Sequence, residues 1–350
     1  FKQIKKEIIF FLILYFLILL SFIFSNYKNE SFLGSFFYFR YFLLSLAIYY
    51  LLEKYDFYFK IFFYSVVISV SFVVFDSYLQ QIIGYNLFGY PKIGTLQIDS
   101  LIYLTSFFDE EKKLGSYLVR FLPLILSLVI FFKTKKTFYI EFLVLILIGT
   151  IIFFSSERTA LFLLFIIYFF YFLISNKKIF FLIIVLILFI TLFNYSSNSR
   201  LAEKYIDFTL HQTGLITLFQ KSEKSKQKAF EKNNFIRYYS EEHENLSYTG
   251  LEIFKNNYLF GSGVKTFYHE CVNIKKKYNK KENKRNNKLV CSTHPHNTYV
   301  QILSEIGIFG FILIAYFFLK VFINNMKIIF KKNKTNLDNV YFFLNLNIII

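Results

Sequence analysis

The chain has 350 residues, 55% of them hydrophobic, and it carries a formal net charge of +17 at pH 7. Its mean hydropathy of +0.45 and its repeated apolar runs, each longer than a soluble core helix, exclude an ordinary water-soluble domain. They predict an all-α polytopic membrane protein. Most lysines lie between the apolar runs, where positive charge orients a membrane protein, so the basic balance indicates no nucleic-acid partner.

In chain order, the apolar runs predict about nine transmembrane helices. These cover residues 8–24, 32–52, 57–75, 114–132, 138–154, 160–174, 179–193, 298–322 and 340–350. The short lysine-rich connections all fall on one side, which the positive-inside rule makes cytoplasmic. The first run follows lysines, as a signal peptide does, but it is too long for one and no cleavage site follows. The last run stops at Ile350, so we expect an incomplete helix in a piece of a longer protein.

This topology predicts three domains. Residues 1–193 hold helices one to seven with a periplasmic excursion at about 76–113, and residues 194–297 form a large periplasmic loop domain. Residues 298–350 hold the last two helices. The excursion is less apolar and carries glycine and proline, which predicts an interfacial or re-entrant segment because lipid does not tolerate irregular backbone.

Both cysteines of the chain, Cys271 and Cys291, lie in the predicted periplasmic loop. An oxidising compartment would allow them to form a disulfide that stabilises the fold by about 3 kcal/mol. Two unpaired thiols are the alternative.

A polar motif stands at the start of the eighth predicted span. His296 precedes the apolar run, and Asn297, Gln301 and Glu305 recur every four residues along it, so these three share one helix face. Polar groups that descend into hydrocarbon tend to face a water-filled cavity or the interior of the helix bundle. A titratable side chain at the top of such a stripe predicts a reaction site at a membrane surface.

The motif resembles the signature of the O-antigen polymerase and O-antigen ligase family. These bacterial inner-membrane enzymes move glycans from an undecaprenyl diphosphate carrier to an acceptor. The turn at Gly261 and Gly263 resembles the G-x-G turn late in the family's periplasmic loop. Relatives often place an arginine some way ahead of this turn; that position falls near His243 here, and the nearest arginine is Arg237. The signature residues matched are His294, Pro295, His296, Asn297, Gln301, Glu305, Gly307 and Gly310. Residues 76–80, 84–89 and 107–118 resemble an upstream region of polymerase-type members.

The resemblance implies a metal-independent glycosyl transfer without a cofactor. His296 would be the base that takes the proton of the acceptor hydroxyl, and arginines would hold the departing diphosphate, because a guanidinium binds phosphate oxygens and stays charged. The diphosphate candidates are Arg158, Arg237, Arg120 and Arg40. The residues expected to line the site are Asn297, Gln301, Glu305, His294, Gly261 and Gly263.

Plainer interpretations stay open for several of these residues. His296 could be a surface histidine beside a helix cap, and Arg158 could reach the lipid head groups or pair with Glu157. Gly307 and Gly310 are predicted to allow close contact between helices. A metal held by the two histidines of His294–His296 lacks a third ligand nearby, so we predict no metal site.

The resemblance implies a multi-pass protein of the bacterial inner membrane whose active face is periplasmic. Its partners would be a glycan donor linked to undecaprenyl diphosphate, a glycan or lipid-linked acceptor, membrane lipid, and a chain-length regulator and flippase. A polymerase is favoured, a ligase to lipid A-core is the near alternative, and a protein O-oligosaccharyltransferase comes third. The rival from another class is a transporter or flippase, which predicts discontinuous helices and repeated halves that the sequence does not display.

Overall fold

A computed structural model describes residues 5–54, 56–92, 103–109, 111–132, 137–174, 241–279 and 289–349. Within these ranges the chain is helical and contains no strand, apart from one isolated β-bridge between Tyr85 and Pro91. Five helical segments there are long and apolar enough to cross a membrane: Lys5–Phe24, Lys28–Lys54, Phe57–Ile83, Leu114–Phe131 and Thr298–Phe330. The predicted all-helical membrane class is therefore confirmed. The count of nine spans stays a prediction, and the span at 179–193 lies outside the described residues.

The described helices have the following bounds: α1 Lys5–Phe24, α2 Lys28–Phe36, α3 Phe39–Lys54, α4 Asp56–Ile83, α5 Leu114–Phe131, α6 Thr137–Phe154, α7 Arg158–Ile174, α8 Glu241–Asn256, α9 Phe267–Asn279, α10 Thr298–Phe330 and α11 Asn336–Ile349. A 3-10 turn, Ser106–Phe108, precedes α5. The chain forms two compact units. The first combines Phe1–Tyr55 with His211–Leu319, and the second combines Asp56–Leu210 with Lys320–Ile350.

The second unit is built around α5. Leu118, Leu122 and Leu126 recur every four residues on this helix and are fully buried. Around α5 pack α6, α7 and α11, and α11 adds the buried pair Phe342 and Phe343. The last predicted span, 340–350, thus corresponds to a helix packed into this core.

The helix α4 continues to Ile83, beyond the predicted end of its span at 75. Two buried side chains explain the difference. The Asp76 carboxylate accepts the Leu87 backbone N–H at 2.8 Å and the hydroxyl of Ser106, and the Gln80 side-chain oxygen accepts the Ser106 backbone N–H at 2.9 Å. Asp76 and Gln80, which the sequence placed in the excursion, therefore lie on the last turns of α4. There they accept backbone N–H groups of the excursion.

Candidate functional site

The described part of the first unit contains α1, α2, α3, α8, α9 and the first part of α10, and it brings most of the predicted site residues together. Helix α10 begins at Thr298, and Asn297 caps it. The Asn297 side-chain oxygen accepts the backbone N–H groups of Tyr299 at 3.0 Å and Val300 at 3.2 Å. Asn297 thus satisfies the first free amides of the helix, and its role as a residue lining the site stays a prediction.

His296 is exposed and has a backbone φ of 52°. Non-glycine residues rarely adopt this left-handed conformation, which costs about 1–3 kcal/mol and persists where surrounding structure enforces it. The cap at Asn297 follows directly and fixes the turn. Such strain is concentrated at functional sites, and here it falls on the residue predicted to be the base.

Three of the five histidines of the chain meet at this point. The ring centroids of His294 and His296 are 4.2 Å apart, and those of His243 and His296 are 5.5 Å apart. The His294 Nδ1 atom lies 2.9 Å from the hydroxyl oxygen of Thr293. Burial lowers the pKa of His294, and the charge of His296 lowers it further. We call His243, His294 and His296 the histidine cluster.

Helix α8 delivers His243 to the cluster. Gly250 lies two turns further along the same helix face, and a Cβ there would stand 2.3 Å from a methyl group of Val300 and 3.7 Å from the Cβ of Pro295. Without a side chain at Gly250, the segment before α10 can seat directly on α8. From the sequence, His243 is only a departure from the family pattern, and no local pattern indicates its approach to His296.

A disulfide between Cys271 and Cys291 joins α9 to the segment that leads to His294. This confirms the predicted pairing. Around it lies a small apolar core of Leu246, Ile253, Phe267, Cys271, Ile274 and Leu289. The disulfide and this core hold the base of the histidine cluster against α8 and α9.

Helix α10 is broken at Gly307, where φ is 79° and ψ is −171°. In an unbroken helix, the carbonyls of Ser304 and Glu305 would accept N–H groups of the next turn. Instead they accept the N–H groups of Ser262 at 2.9 Å and Gly263 at 3.0 Å. The N–H of Ile308 donates to the carbonyl of Tyr258 at 2.9 Å. The G-x-G loop therefore satisfies the backbone groups that the break exposes.

Three glycines make this contact possible. A Cβ at Gly261 would lie 2.3 Å from the backbone carbonyl carbon of Glu305, and one at Gly307 would lie 2.3 Å from the carbonyl oxygen of Leu259. A Cβ at Gly263 would lie 2.7 Å from the hydroxyl oxygens of Ser25 and Ser31. All three glycines have positive φ. The predicted turn at Gly261 and Gly263 is present, and Gly307 contacts this loop where a neighbouring helix was expected.

Gln301 and Glu305 share one face of the upper part of α10, as predicted. The Gln301 amide donates to one carboxylate oxygen of Glu305 at 3.4 Å. The other oxygen, Oε1, is buried and has no hydrogen-bond partner among the described residues, although the backbone amides of Lys265 and Phe267 face the carboxylate. A buried acceptor with unused capacity is available to a hydroxyl or another donor.

The arginines divide between the two units. Arg40 is exposed on α3, donates to the Tyr41 hydroxyl at 2.9 Å and stacks over that ring at 4.8 Å. Arg120 is exposed on α5, and the half-buried Arg158 begins α7. Arg120 and Arg158 belong to the second unit, and Arg237 lies outside the described residues. The gathering of these arginines around His296 remains a prediction.

Glu157, the alternative partner predicted for Arg158, accepts hydrogen bonds at the start of α5. Its carboxylate accepts the backbone N–H groups of Gly115 at 2.6 Å and Ser116 at 3.0 Å, together with the hydroxyl of Ser116 at 2.6 Å. It therefore satisfies the free amides at the start of α5, as a cap supplied by the turn between α6 and α7. Within the described ranges, no group of three or more His, Cys, Asp or Glu side chains is arranged to hold a metal ion.

Fold and site together define a polytopic helical membrane protein with clustered histidines at the start of a broken helix. A family model described as O-antigen ligase matches residues 142–315, about half of the chain, including α8, α9 and the histidine cluster. The chain belongs to the O-antigen polymerase and ligase family. No curated protein and no solved structure matches it.

Proposed function

We propose that the protein is a periplasm-facing, metal-independent glycosyltransferase of the bacterial inner membrane. Its donor would be an oligosaccharide linked to undecaprenyl diphosphate, and its acceptor another lipid-linked repeat unit, as in an O-antigen or surface polysaccharide polymerase. The observation that carries the proposal is the strained, exposed His296 at the capped start of α10, inside the region that matches the O-antigen ligase family.

The proposed reaction is a single displacement. The acceptor hydroxyl oxygen attacks the anomeric carbon of the donor while the bond from that carbon to the diphosphate oxygen breaks. The hydroxyl proton passes to His296, because an imidazole can act as a general base. The lengthened glycan and the free lipid diphosphate leave, and the anomeric configuration is inverted.

The remaining roles follow from side-chain chemistry. Arg158, Arg120, Arg40 and Arg237 are the proposed cations for the diphosphate, because a guanidinium forks onto phosphate oxygens. Glu305 and Gln301 are proposed to bind sugar hydroxyls, which the unused Oε1 atom of Glu305 supports. Resemblance of residues 76–80, 84–89 and 107–118 to polymerase-type members favours a polymerase over a ligase. A chain-length regulator and a flippase are the proposed partners.

The test is reconstitution. Proteoliposomes holding the full chain receive labelled repeat units on undecaprenyl diphosphate, and longer lipid-linked chains are expected. His296→Ala should lower the rate by at least about a hundredfold, the usual contribution of a general base. The control is His269→Gln, because the His269 ring lies beside Tyr27 and Tyr268, outside the histidine cluster. Undiminished elongation by His296→Ala would refute the base assignment.

One observation favours the rival class. A transporter predicts discontinuous helices, and α10 is discontinuous at Gly307. The same vesicles decide between the classes, because a transporter would move labelled lipid across the bilayer without a new glycosidic bond. Supplying lipid A-core or an acceptor peptide in place of the second repeat unit separates polymerase from ligase and from protein O-oligosaccharyltransferase.

A further inference from the structure

The segment that follows α4, residues 84–92, is inverted relative to a loop that faces water. We call it the excursion loop. Apolar side chains at the end of α4 and in this loop are exposed, and the largest exposed fractions are 81% for Ile82 and 68% for Phe88. The others that are exposed are Ile83, Tyr85, Leu87 and Tyr90. The polar side chains of the region are buried instead, namely those of Asp76, Gln80, Asn86 and Ser106. Apolar side chains exposed together in this way mark a surface for a protein or a membrane.

The backbone of the excursion loop is satisfied from within the protein. The Asn86 side-chain oxygen accepts the N–H groups of Phe88 at 2.9 Å and Tyr90 at 2.8 Å. Asp76 accepts the N–H of Leu87 at 2.8 Å. Backbone carbonyls accept the N–H groups of Gly84, Asn86, Gly89 and Lys92. Lipid excludes irregular backbone because its polar groups would stay unsatisfied, and these bonds remove that cost for the N–H groups named.

The excursion loop folds back along α4. The Leu87 N–H meets the carboxylate of Asp76, which lies about two turns, or about 10 Å, before the end of α4 at Ile83. The Gln80 amide donates to the Tyr90 carbonyl at 3.3 Å and so holds the loop against the same helix. The apolar span of 27 residues is about 40 Å long, whereas a hydrocarbon core is about 30 Å thick. If the span is centred on the core, α4 ends about 5 Å outside it and Leu87 lies about 5 Å inside it.

Aromatic rings connect the exposed surface of α4 to the excursion loop. Phe72 is exposed and lies within the apolar span. Its ring stacks on that of Phe107 with 5.2 Å between centroids, and the Phe107 ring contacts that of Phe88 edge to face at 5.3 Å. The loop also exposes Tyr85 and Tyr90, a residue type enriched where a membrane meets water. The apolar surface of the span therefore continues onto the loop, which favours lipid as the partner of both.

We propose that the excursion loop is inserted into the bilayer, with Leu87 and Phe88 in hydrocarbon and with Tyr85 and Tyr90 at the level of the lipid head groups. Burial of the apolar side chains in lipid stabilises this position, and Asp76 holds the loop there through the Leu87 N–H. The sequence predicts an interfacial or re-entrant segment at about 76–113, and the proposal assigns the re-entrant part to residues 84–92. It does not depend on the proposed glycan transfer.

The experiment uses the absence of tryptophan from the chain, which makes a single introduced tryptophan a reporter of one position. The full chain carrying Phe88→Trp is reconstituted in phosphatidylcholine vesicles. Its fluorescence is measured with lipids brominated near the head group, with lipids brominated near the chain end, and with iodide in the water. The expected result is a loss of emission that is largest with bromine near the head group, and no loss with iodide.

Two control variants set the scale. Ile68→Trp, at an exposed position near the middle of the apolar span, should lose most emission to lipids brominated near the chain end. Tyr268→Trp, at an exposed position on α9, should respond to iodide alone. If Phe88→Trp followed Tyr268→Trp, the loop would face water, and protection from iodide and from both brominated lipids would mean that protein covers it. Either result would overturn the proposal. Tyr85→Trp is a second reporter of the same loop, with the same expected result, if Phe88→Trp does not fold.

Discussion

Helices α4 and α10 each bury a carboxylate, and the two carboxylates are hydrogen-bonded differently. On α4, both oxygens of Asp76 accept hydrogen bonds, from the Leu87 backbone and the Ser106 hydroxyl. On α10, Glu305 accepts one long hydrogen bond from Gln301, and the backbone amides of Lys265 and Phe267 face its carboxylate, but the Oε1 atom has no hydrogen-bond partner among the described residues. The helix with the fully bonded carboxylate is continuous, whereas the helix with the under-bonded one is broken at Gly307 and preceded by a strained histidine.

The contrast separates a structural anchor from a candidate site. Leaving a buried acceptor unsatisfied costs about 1–3 kcal/mol, so a fold retains such a group where something else benefits from it. Both oxygens of Asp76 already accept a hydrogen bond. The Oε1 atom of Glu305 has no partner among the described residues, and Glu305 lies on the helix that follows the histidine cluster.

The largest effect is expected from Gly307→Ala. The new Cβ would stand 2.3 Å from the Leu259 carbonyl oxygen at a φ of 79°, so clash and strain together should destabilise the protein by about 4 kcal/mol and abolish transfer. Gly89→Ala is the matched control. Gly89 also has a positive φ, 83°, but nothing within 4 Å, so strain alone should cost about 1 kcal/mol. Thermal unfolding in detergent measures both, and equal losses would show that the contact with the G-x-G loop is unimportant.

Removal of the disulfide should have the second-largest effect on stability. Replacing Cys271 and Cys291 together by alanine releases a loop closed across 20 residues and should cost about 3 kcal/mol of unfolding free energy. Because the bond holds the segment that leads to His294, the variant should also lose transfer activity when assayed well below its unfolding temperature. Full activity under those conditions would mean that α8 and the apolar core position the histidine cluster without the bond.

The two carboxylates can be compared directly by alanine substitution. Asp76→Ala leaves the Leu87 N–H without its acceptor and should cost about 2–3 kcal/mol. Glu305→Ala removes a group that is poorly bonded, so we expect less than about 1 kcal/mol of destabilisation together with at least a tenfold loss of transfer. If Glu305→Ala destabilised the protein as much as Asp76→Ala, the distinction between anchor and site would be lost.

The sequence predicted the all-helical membrane class, because long apolar runs in a membrane protein have few alternatives. It missed the continuation of α4, since Asp76 and Gln80 have the composition of a loop and their partners lie on a segment distant in sequence. The break at Gly307 was also missed. A glycine in an apolar run gives no sign that the Ser262 and Gly263 amides will replace its helical hydrogen bonds.

The candidate site was predicted in part. His294, His296, Gln301 and Glu305 lie together because they are close in sequence, and the disulfide followed from two cysteines in one loop. His243 was beyond sequence reasoning, since its approach depends on the packing of Gly250 against Val300. The positions of the arginines relative to His296 could not be predicted from the sequence either, because they depend on tertiary packing between distant segments.

The smallest expected effect is the dependence of stability on pH, and its sign differs between the two units. Burial raises the pKa of Glu270, although Asn26 and Lys277 act in the opposite direction. The folded protein therefore keeps this proton to a higher pH than the unfolded chain, so stability should fall as pH rises from about 4.5. In the second unit, a hydrogen bond from Lys331 lowers the pKa of Asp338 to about 2, so stability there should fall as pH drops below 3.8.

Unfolding midpoints measured from pH 3 to pH 7 test both signs. Glu270→Gln should remove the loss on the rising side and make the variant relatively more stable near neutral pH, while Asp338→Asn should remove the loss on the acid side. Each variant serves as the control for the other. A Glu270→Gln variant that became less stable near neutral pH would mean that the carboxylate is held by favourable bonds, and the first unit would then contain an anchor of the same kind as Asp76.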